Sequence, residues 1–275
     1  MIISKHKLTN EFAAQEPVKK TSGRFAKGLP DTIVIHYTAG GSLDSAVNTF
    51  KDPDVQASAH VVVDKDGSLT QMVPFDHIAW HAGRSAFQDR TSLNRFSIGI
   101  EIVNAGRLEK SGSVWSSWFG RNYPEEEVIQ AVHRNEDRPT YWERFTPEQV
   151  EAVFNLCQAL KKRYGIVHIL GHEEISPGRK IDPGPAFPLD KIRDKLLYAQ
   201  RKDEDEPAGK PQGKGLVKAS SLNIRSGPSV NTGTIAAPLS RNTELEILDE
   251  QSGWYQVKVE ITGWVSAKFV DKLPG

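Results

Sequence analysis

Between Gln200 and Gly215 the chain reads QRKDEDEPAGKPQGKG, with no apolar residue beyond one alanine. A stretch with nothing to bury cannot cross a core, so it is expected to lie exposed and to divide the chain into parts that fold separately. The expected organisation is an N-terminal arm over 1–28, a main domain over 29–199, a linker over 200–215 and a small module over 216–275. The DEDE run inside the linker reads as solvating charge.

Composition narrows the function classes. Hydrophobic content of 38% and aromatic content of 8% are ordinary for a globular protein. Lys+Arg and Asp+Glu balance at 35 each, which argues against nucleic acid as the main partner because phosphate binding shows as a basic excess. A single cysteine, Cys157, excludes an intramolecular disulfide and any Cys-rich zinc site. The opening MIISKHKLTNEFAAQEPVKK holds no apolar run of signal-peptide length. No segment approaches the ~20 apolar residues of a membrane span. The expectation is synthesis in the cytoplasm, with any action outside it reached without an ordinary N-terminal signal.

The periodicities predict an α/β main domain. Thr32–Ile35 is a β-branched run that delivers His36 at its end. Ala59–Asp64 and Leu69–Val73 flank the turn Lys65-Asp66-Gly67 and predict a hairpin. In Phe96–Val103, Ile98, Ile100 and Ile102 share one face, with Gly99 and Glu101 on the other. Residues 104–145, rich in charge and aromatics, read as a long loop with at most a short helix around Glu125–His133. Pro147–Tyr164 is the clearest helix: Thr146 caps it, Gln149 completes a capping box, and Val153, Phe154, Cys157 and Leu160 make its core stripe. Ile166–Leu170 reads as a strand leading to His172, and Leu189–Tyr198 as a last helix. After Leu216 the segments are short and β-rich.

The chemistry concentrates in Gly171–Phe187, GHEEISPGRKIDPGPAF. Here His172 and Asp182 are separated by a loop stiffened with Pro177, Pro183 and Pro185, and Lys180 lies two residues before the aspartate. Pro183 restricts the backbone of Asp182 and so narrows where its carboxylate points. Together with His36, these residues supply two histidines and a carboxylate, a catalytic zinc set that leaves a fourth position open. Zinc lowers the pKa of bound water from 15.7 to about 7, which at ~1.36 kcal/mol per unit is about 12 kcal/mol. Glu101 is the candidate proton shuttle and Lys180 the candidate oxyanion stabiliser. Plainer readings exist for each: a hydrogen-bonded core histidine at 36 or 172, a loop-capping carboxylate at 182, a solvated Glu101, a surface Lys180. His60 competes with Asp182 as third ligand. His6, His77, His133 and His168 read as surface or structural, and Trp115 and Trp118 either stack on sugars or cover the core.

Four segments in order, IVIHYTAG (33–40), ASAHVVVDKDGSLTQMVPFDHIAWHAG (57–83), SIGIEIVN (97–104) and GHEEISPGRKIDPGPAF (171–187), resemble the zinc-dependent N-acetylmuramoyl-L-alanine amidases of the amidase-2 family, related to peptidoglycan recognition proteins. The resemblance implies a mixed β-sheet flanked by helices and Zn2+ on His36, His172 and Asp182. It also implies Glu101 and Lys180 as catalytic residues, and a substrate groove with His60, Trp80, His81 and Asn104. The tail segments SLNIRSGPS (221–229), SGWYQVKV (252–259) and GWVSAKFV (263–270) resemble a bacterial SH3 domain, a small all-β barrel.

The expected reaction is hydrolysis of the amide between N-acetylmuramic acid and L-alanine, with peptidoglycan as partner and the tail assisting wall binding. The long insert and the tail favour intact wall, as cut by a phage endolysin or by an antibacterial effector with an immunity protein. The alternatives are a cytosolic amidase recycling anhydromuropeptides and a non-catalytic wall-binding protein on the same fold.

Overall fold

Thr32–Tyr37 and Ser97–Ile102 are rich in β-branched residues and pair in parallel, with Ile33 beside Ile98 and Ile35 beside Ile100. In this computed structural model they form the middle of a six-stranded sheet built from β1 (Ala14–Gln15), β2 (Thr32–Tyr37), β3 (Val61–Val63), β4 (Leu69–Gln71), β5 (Ser97–Ile102) and β6 (His168–Gly171). The spatial order is β6-β2-β5-β3-β4-β1, mixed because β3 and β4 form an antiparallel hairpin while β6, β2, β5 and β3 run parallel. The structure describes residues 1–9, 11–198, 213–219, 221–227, 233–251 and 254–260. It divides into two units, Met1–Arg201 and Lys202–Gly275.

Strand alternation sorts the sheet's side chains into two layers. On one face Ile33, Ile35, Val61, Val63, Ile98, Ile100 and Ile102 meet Val153, Leu156, Cys157 and Leu160 of α2 (Pro147–Tyr164). Each fully buried aliphatic side chain there contributes roughly 1.5–3 kcal/mol. The predicted capping box is present: Gln149 N–H donates to Thr146 Oγ1 at 3.1 Å and Thr146 N–H to Gln149 Oε1 at 3.1 Å. Burial pushes the Cys157 thiol up to about 12, so this side chain serves as an apolar filler. The opposite face carries His36 and Glu101. Beside them α1 (Leu43–Lys51) lays Ala46, Val47 and Phe50 on Val62 and Val103.

Two expectations need correction. Residues 1–28 do not stand off as an arm: Leu8 and Ala13 enter the main core, β1 extends the sheet beside β4, and Thr21–Arg24 pairs with His77–Ala79. Their few apolar side chains fall where the sheet edge needs covering. Residues 105–145 are not a loop but a five-stranded antiparallel sheet, in the order Asn122–Tyr123, Val114–Ser116, Arg107–Ser111, Pro139–Glu143, Val128–Val132. The helix expected near Glu125–His133 is one 3-10 turn, Glu125–Glu127, followed by strand. The strands are short, apolar Val114 and Val132 face outward and Glu143 faces inward, which hid the alternation. Inside, Ala105, Leu108, Tyr123 and Val128 form a small core with Trp115 and Tyr141.

In the second unit, Gly213–Leu216, Glu244–Gln251 and Trp254–Lys258 make an antiparallel three-stranded sheet, and Ser221–Leu222 pairs with Leu239–Ser240. The first of these strands begins inside the stretch expected to be linker. The rest of that linker, 200–212, and the segment GWVSAKFV lie outside the described residues.

Candidate metal centre

The parallel ladder builds the site. Register places Glu101 of β5 opposite His36 of β2, and Gly171 of β6 opposite Ile35, so His172 arrives beside His36. All three positions lie at the carboxyl ends of parallel strands, where open α/β sheets place their ligands. The loop then returns: the Glu173 N–H donates to the Asp182 carbonyl at 2.8 Å, bringing the Asp182 side chain back over His172.

The result is a buried triangle. His36 Nδ1 is 2.9 Å from His172 Nδ1 and 2.9 Å from Asp182 Oδ2, and His172 Nδ1 is 3.0 Å from the same oxygen. Tetrahedral zinc with bonds near 2.05 Å has ligand–ligand edges of about 3.3 Å, so this triangle need open by only about 0.4 Å to take the ion.

A metal at the triangle would need both rings in the tautomer that carries its proton outward, and the outward side offers partners for it. His172 Nε2 lies 3.1 Å from the Ala82 carbonyl and 3.2 Å from Arg179 Nη2, which itself donates to that carbonyl at 2.9 Å. His36 Nε2 donates to His81 Nδ1 at 3.0 Å, and His81 Nε2 donates to the Ser97 carbonyl at 3.2 Å. Without a metal, Asp182 Oδ2 accepts from the two Nδ1 atoms; with the protons outward, the three inward atoms are all lone-pair donors facing one another. A bound cation resolves that arrangement, and the residues present fit one.

Charges around the triangle agree. Burial and the nearby charge of His172 hold His36 down to about 4, so it is neutral at pH 7. Burial opposes ionisation of Asp182, but hydrogen bonds with His172 and His36 outweigh it and hold the carboxyl well below its usual range. Burial and the charge of Asp182 raise Glu101 well above the ordinary carboxylate value, with Lys180 pulling it back. Glu101 Oε2 is buried without a hydrogen-bond partner. Lys180, half-buried, projects its charge onto both Glu101 and His36.

His36, Glu101, His172, Lys180 and Asp182 therefore come together, while the expected groove residues separate. His60 is 0% exposed. Its Nδ1 accepts from Gly99 N–H at 2.9 Å and its Nε2 donates to the His77 carbonyl at 2.8 Å, so no atom is free for substrate or metal. Asn104 is also spent on the frame: Nδ2 donates to the Glu143 and Arg144 carbonyls, both at 3.3 Å, and Oδ1 accepts from Gly106 N–H at 2.8 Å. His81 sits behind His36, buried, with its Nδ1 3.0 Å from His36 Nε2. Trp80 borders an open groove of about 450 Å3, with Val18, Lys19, Phe50 and Lys51. Trp115 covers the insert core, whereas Trp118 is 74% exposed and donates through Nε1 to the Ala39 carbonyl. Sequence reasoning missed His133 and Glu173, a buried pair 2.9 Å apart; they lie in elements with no shared sequence pattern, and only folding joins them.

A mixed sheet with a His-His-Asp cluster and a desolvated carboxylate at its carboxyl edge defines the class, an α/β domain with a candidate metal centre. The chain belongs to the N-acetylmuramoyl-L-alanine amidase family, whose model matches residues 26–185, and a bacterial SH3 domain model matches residues 220–271. It is 34% identical to the N-acetylmuramoyl-L-alanine amidase AmiD of Escherichia coli (strain K12), over 58% of this chain and 51% of that protein. It is 32% identical to the 1,6-anhydro-N-acetylmuramyl-L-alanine amidase AmpD of Enterobacter cloacae, over 63% of this chain and 84% of that protein. A solved selenomethionine AmpD derivative superposes with a TM-score of 0.51 at 26% identity, covering 71% of this chain and 99% of that one. The chain spans about half the length of AmiD and 62% of that of the Citrobacter freundii AmpD. Among the described residues no helix is long and apolar enough to cross a membrane.

Proposed function

We propose that this protein is a zinc-dependent N-acetylmuramoyl-L-alanine amidase that hydrolyses the amide between the lactyl group of N-acetylmuramic acid and L-alanine. The observation that carries the reading is the buried triangle of three potential ligand atoms, His36 Nδ1, His172 Nδ1 and Asp182 Oδ2, with Glu101, its Oε2 buried without a partner, on the adjacent strand. Zinc, when bound there, polarises the scissile carbonyl and lowers the pKa of water to about 7. Glu101 takes the proton from the attacking water and returns it to the leaving amine of L-alanine, a role that suits a carboxyl whose pKa burial has raised. Lys180 places its ammonium against the oxygen that gains charge as the carbonyl becomes tetrahedral. His81 backs the His36 ring, and Trp80 is the groove residue proposed to meet substrate.

The domain division is a zinc amidase unit ending near Arg201, followed by an SH3 unit that assists wall binding. The insert and the SH3 unit favour intact wall as substrate. Kinship with enzymes named for 1,6-anhydro sugars supports a second reading, soluble anhydromuropeptides. The test is digestion of purified sacculi and of 1,6-anhydro fragments by the zinc-loaded protein. Release of stem peptides with free L-alanine amines is expected, faster from sacculi; faster turnover of the soluble fragments favours recycling, and no release from either overturns the amidase reading. An endolysin or an effector with an immunity protein would act on the wall, a recycling enzyme in the cytoplasm.

A further inference from the structure

The insert over residues 105–145 touches the metal loop at two buried points. First, Glu173, next to His172, turns its carboxylate away from the site and into the insert. Its Oε2 accepts from His133 Nε2 at 2.9 Å and from the Gly184 N–H at 2.9 Å, and Oε1 lies 3.3 Å from Arg134 Nε. His133 Nδ1 accepts from the Asn135 N–H at 3.2 Å, which places the ring proton on Nε2, toward Glu173. Asn135 Nδ2 also donates to the Glu173 carbonyl at 3.2 Å. Second, Gly184, with φ +73°, lies so close to the indole of Trp142 that a Cβ there would stand 2.7 Å from it. Trp142 in turn stacks on His133, with ring centres 5.7 Å apart and planes 19° apart, and Arg107 Cζ sits 4.8 Å from its ring centre. Glu173 follows His172 and Gly184 is two residues beyond Asp182, so one carboxylate and one indole grip the loop at both of its ligands.

We propose that the insert is a brace for the metal loop, with His133 and Trp142 as positioning residues that act on zinc affinity through Glu173 and Gly184. The inference rests on the reading of His36, His172 and Asp182 as a metal centre. Its physical ground is the triangle itself. With both rings in the ligating tautomer, two lone pairs and a carboxylate repel one another until a cation sits between them, and a stretch such as His172–Asp182 would relax apart if only its ends were fixed. A loop already held in the binding geometry gives up less freedom when the ion arrives. Losing partners outside the ligand set typically costs 10–100-fold in metal affinity.

The experiment uses the full chain and Zn2+ itself, with chelator competition for the dissociation constant and amide hydrogen exchange on the zinc-free protein. His133→Ala is expected to weaken zinc binding about 10–100-fold and to speed exchange at the Glu173 and Gly184 amides, while amides of β2 and β5 keep their protection. His133→Gln, which can still donate to Glu173, should restore binding to within about threefold of wild type. Arg134→Ala, at an exposed position, should shift affinity in the same direction by less, and it serves if His133→Ala fails to fold. If wild type binds zinc tightly and His133→Ala and Arg134→Ala bind it equally well, the brace is overturned and the metal centre stands. Uniformly faster exchange across β2 and β5 also overturns it, by making His133 a general fold residue. If wild type binds no zinc, the metal reading falls first and the brace with it.

Discussion

Gly99 lies against the imidazole of His81 so closely that a Cβ there would stand 2.3 Å from the ring's Cγ and 2.6 Å from Nδ1. The ring cannot step aside, because its two nitrogens join His36 to the Ser97 carbonyl. Gly99→Ala is therefore expected to destabilise the protein by about 1–3 kcal/mol through overpacking and to weaken zinc binding as His36 turns with His81. Urea denaturation and a chelator competition check the two effects. Unchanged zinc affinity would sever the proposed link from Gly99 to the metal.

Glu101 predicts a split between activity and stability. Glu101→Gln removes the proton shuttle, so kcat should fall by about 10^2–10^4 with zinc content unchanged. The ionised carboxylate is disfavoured by burial and by Asp182, so the neutral amide should leave the thermal midpoint at pH 7 unchanged or higher. A variant that lost zinc together with activity would place Glu101 among the ligands instead.

His36→Ala removes a proposed ligand while leaving the second unit untouched. Hydrolysis of sacculi should drop to background and bound zinc should be lost, while cosedimentation with sacculi persists. Lysis by a His36→Ala protein verified free of zinc would contradict the proposed chemistry.

The buried histidine His60 predicts a pH dependence away from the ligands. Burial lowers it to about 4 from an unfolded value of 6.5. Between those values the unfolded chain binds more protons, so stability rises with pH across the window and is lost as pH falls from 6.5 towards 4. His36, held at about 4, adds in the same direction. In zinc-free protein the urea midpoint should decline over this range. His60→Asn, which keeps an acceptor for Gly99 N–H, should flatten the decline, and an equal slope in both proteins would refute the assignment.

Ending the chain at Arg201 should leave a soluble, zinc-binding unit with the far-UV circular dichroism of a mixed sheet, because the two units divide there. Its rate on sacculi should fall more than its rate on soluble anhydro fragments. An insoluble product would show that the division is not a folding boundary.

Much of this molecule was readable before its coordinates. The helix Pro147–Tyr164 announced itself through Thr146, Pro147 and Gln149, which act locally. The alternation in Ser97–Ile102 separated Glu101 from the core isoleucines, and the family segments carried His36, His172, Asp182 and Lys180 into one place. What escaped was non-local. Residues 105–145 pair strands too short to show a period. His60 and Asn104 sit in motif segments, yet their polar atoms answer to backbone groups such as Gly99 N–H and the Glu143 carbonyl that no motif displays. The His133–Glu173 contact joins positions 40 apart.

Both candidate ligand histidines have a main-chain carbonyl behind them, Ala82 for His172 and, through His81, Ser97 for His36. A carbonyl belongs to every amino acid, so substitutions at 82 and 97 cannot delete the acceptor, only shift it. Mutational drift thus has two side-chain points of entry into the tautomer of the site, the imidazole at 81 and the guanidinium at 179, which lies 3.2 Å from His172 Nε2, and a search for natural variants that silence this protein while sparing its ligands should begin there.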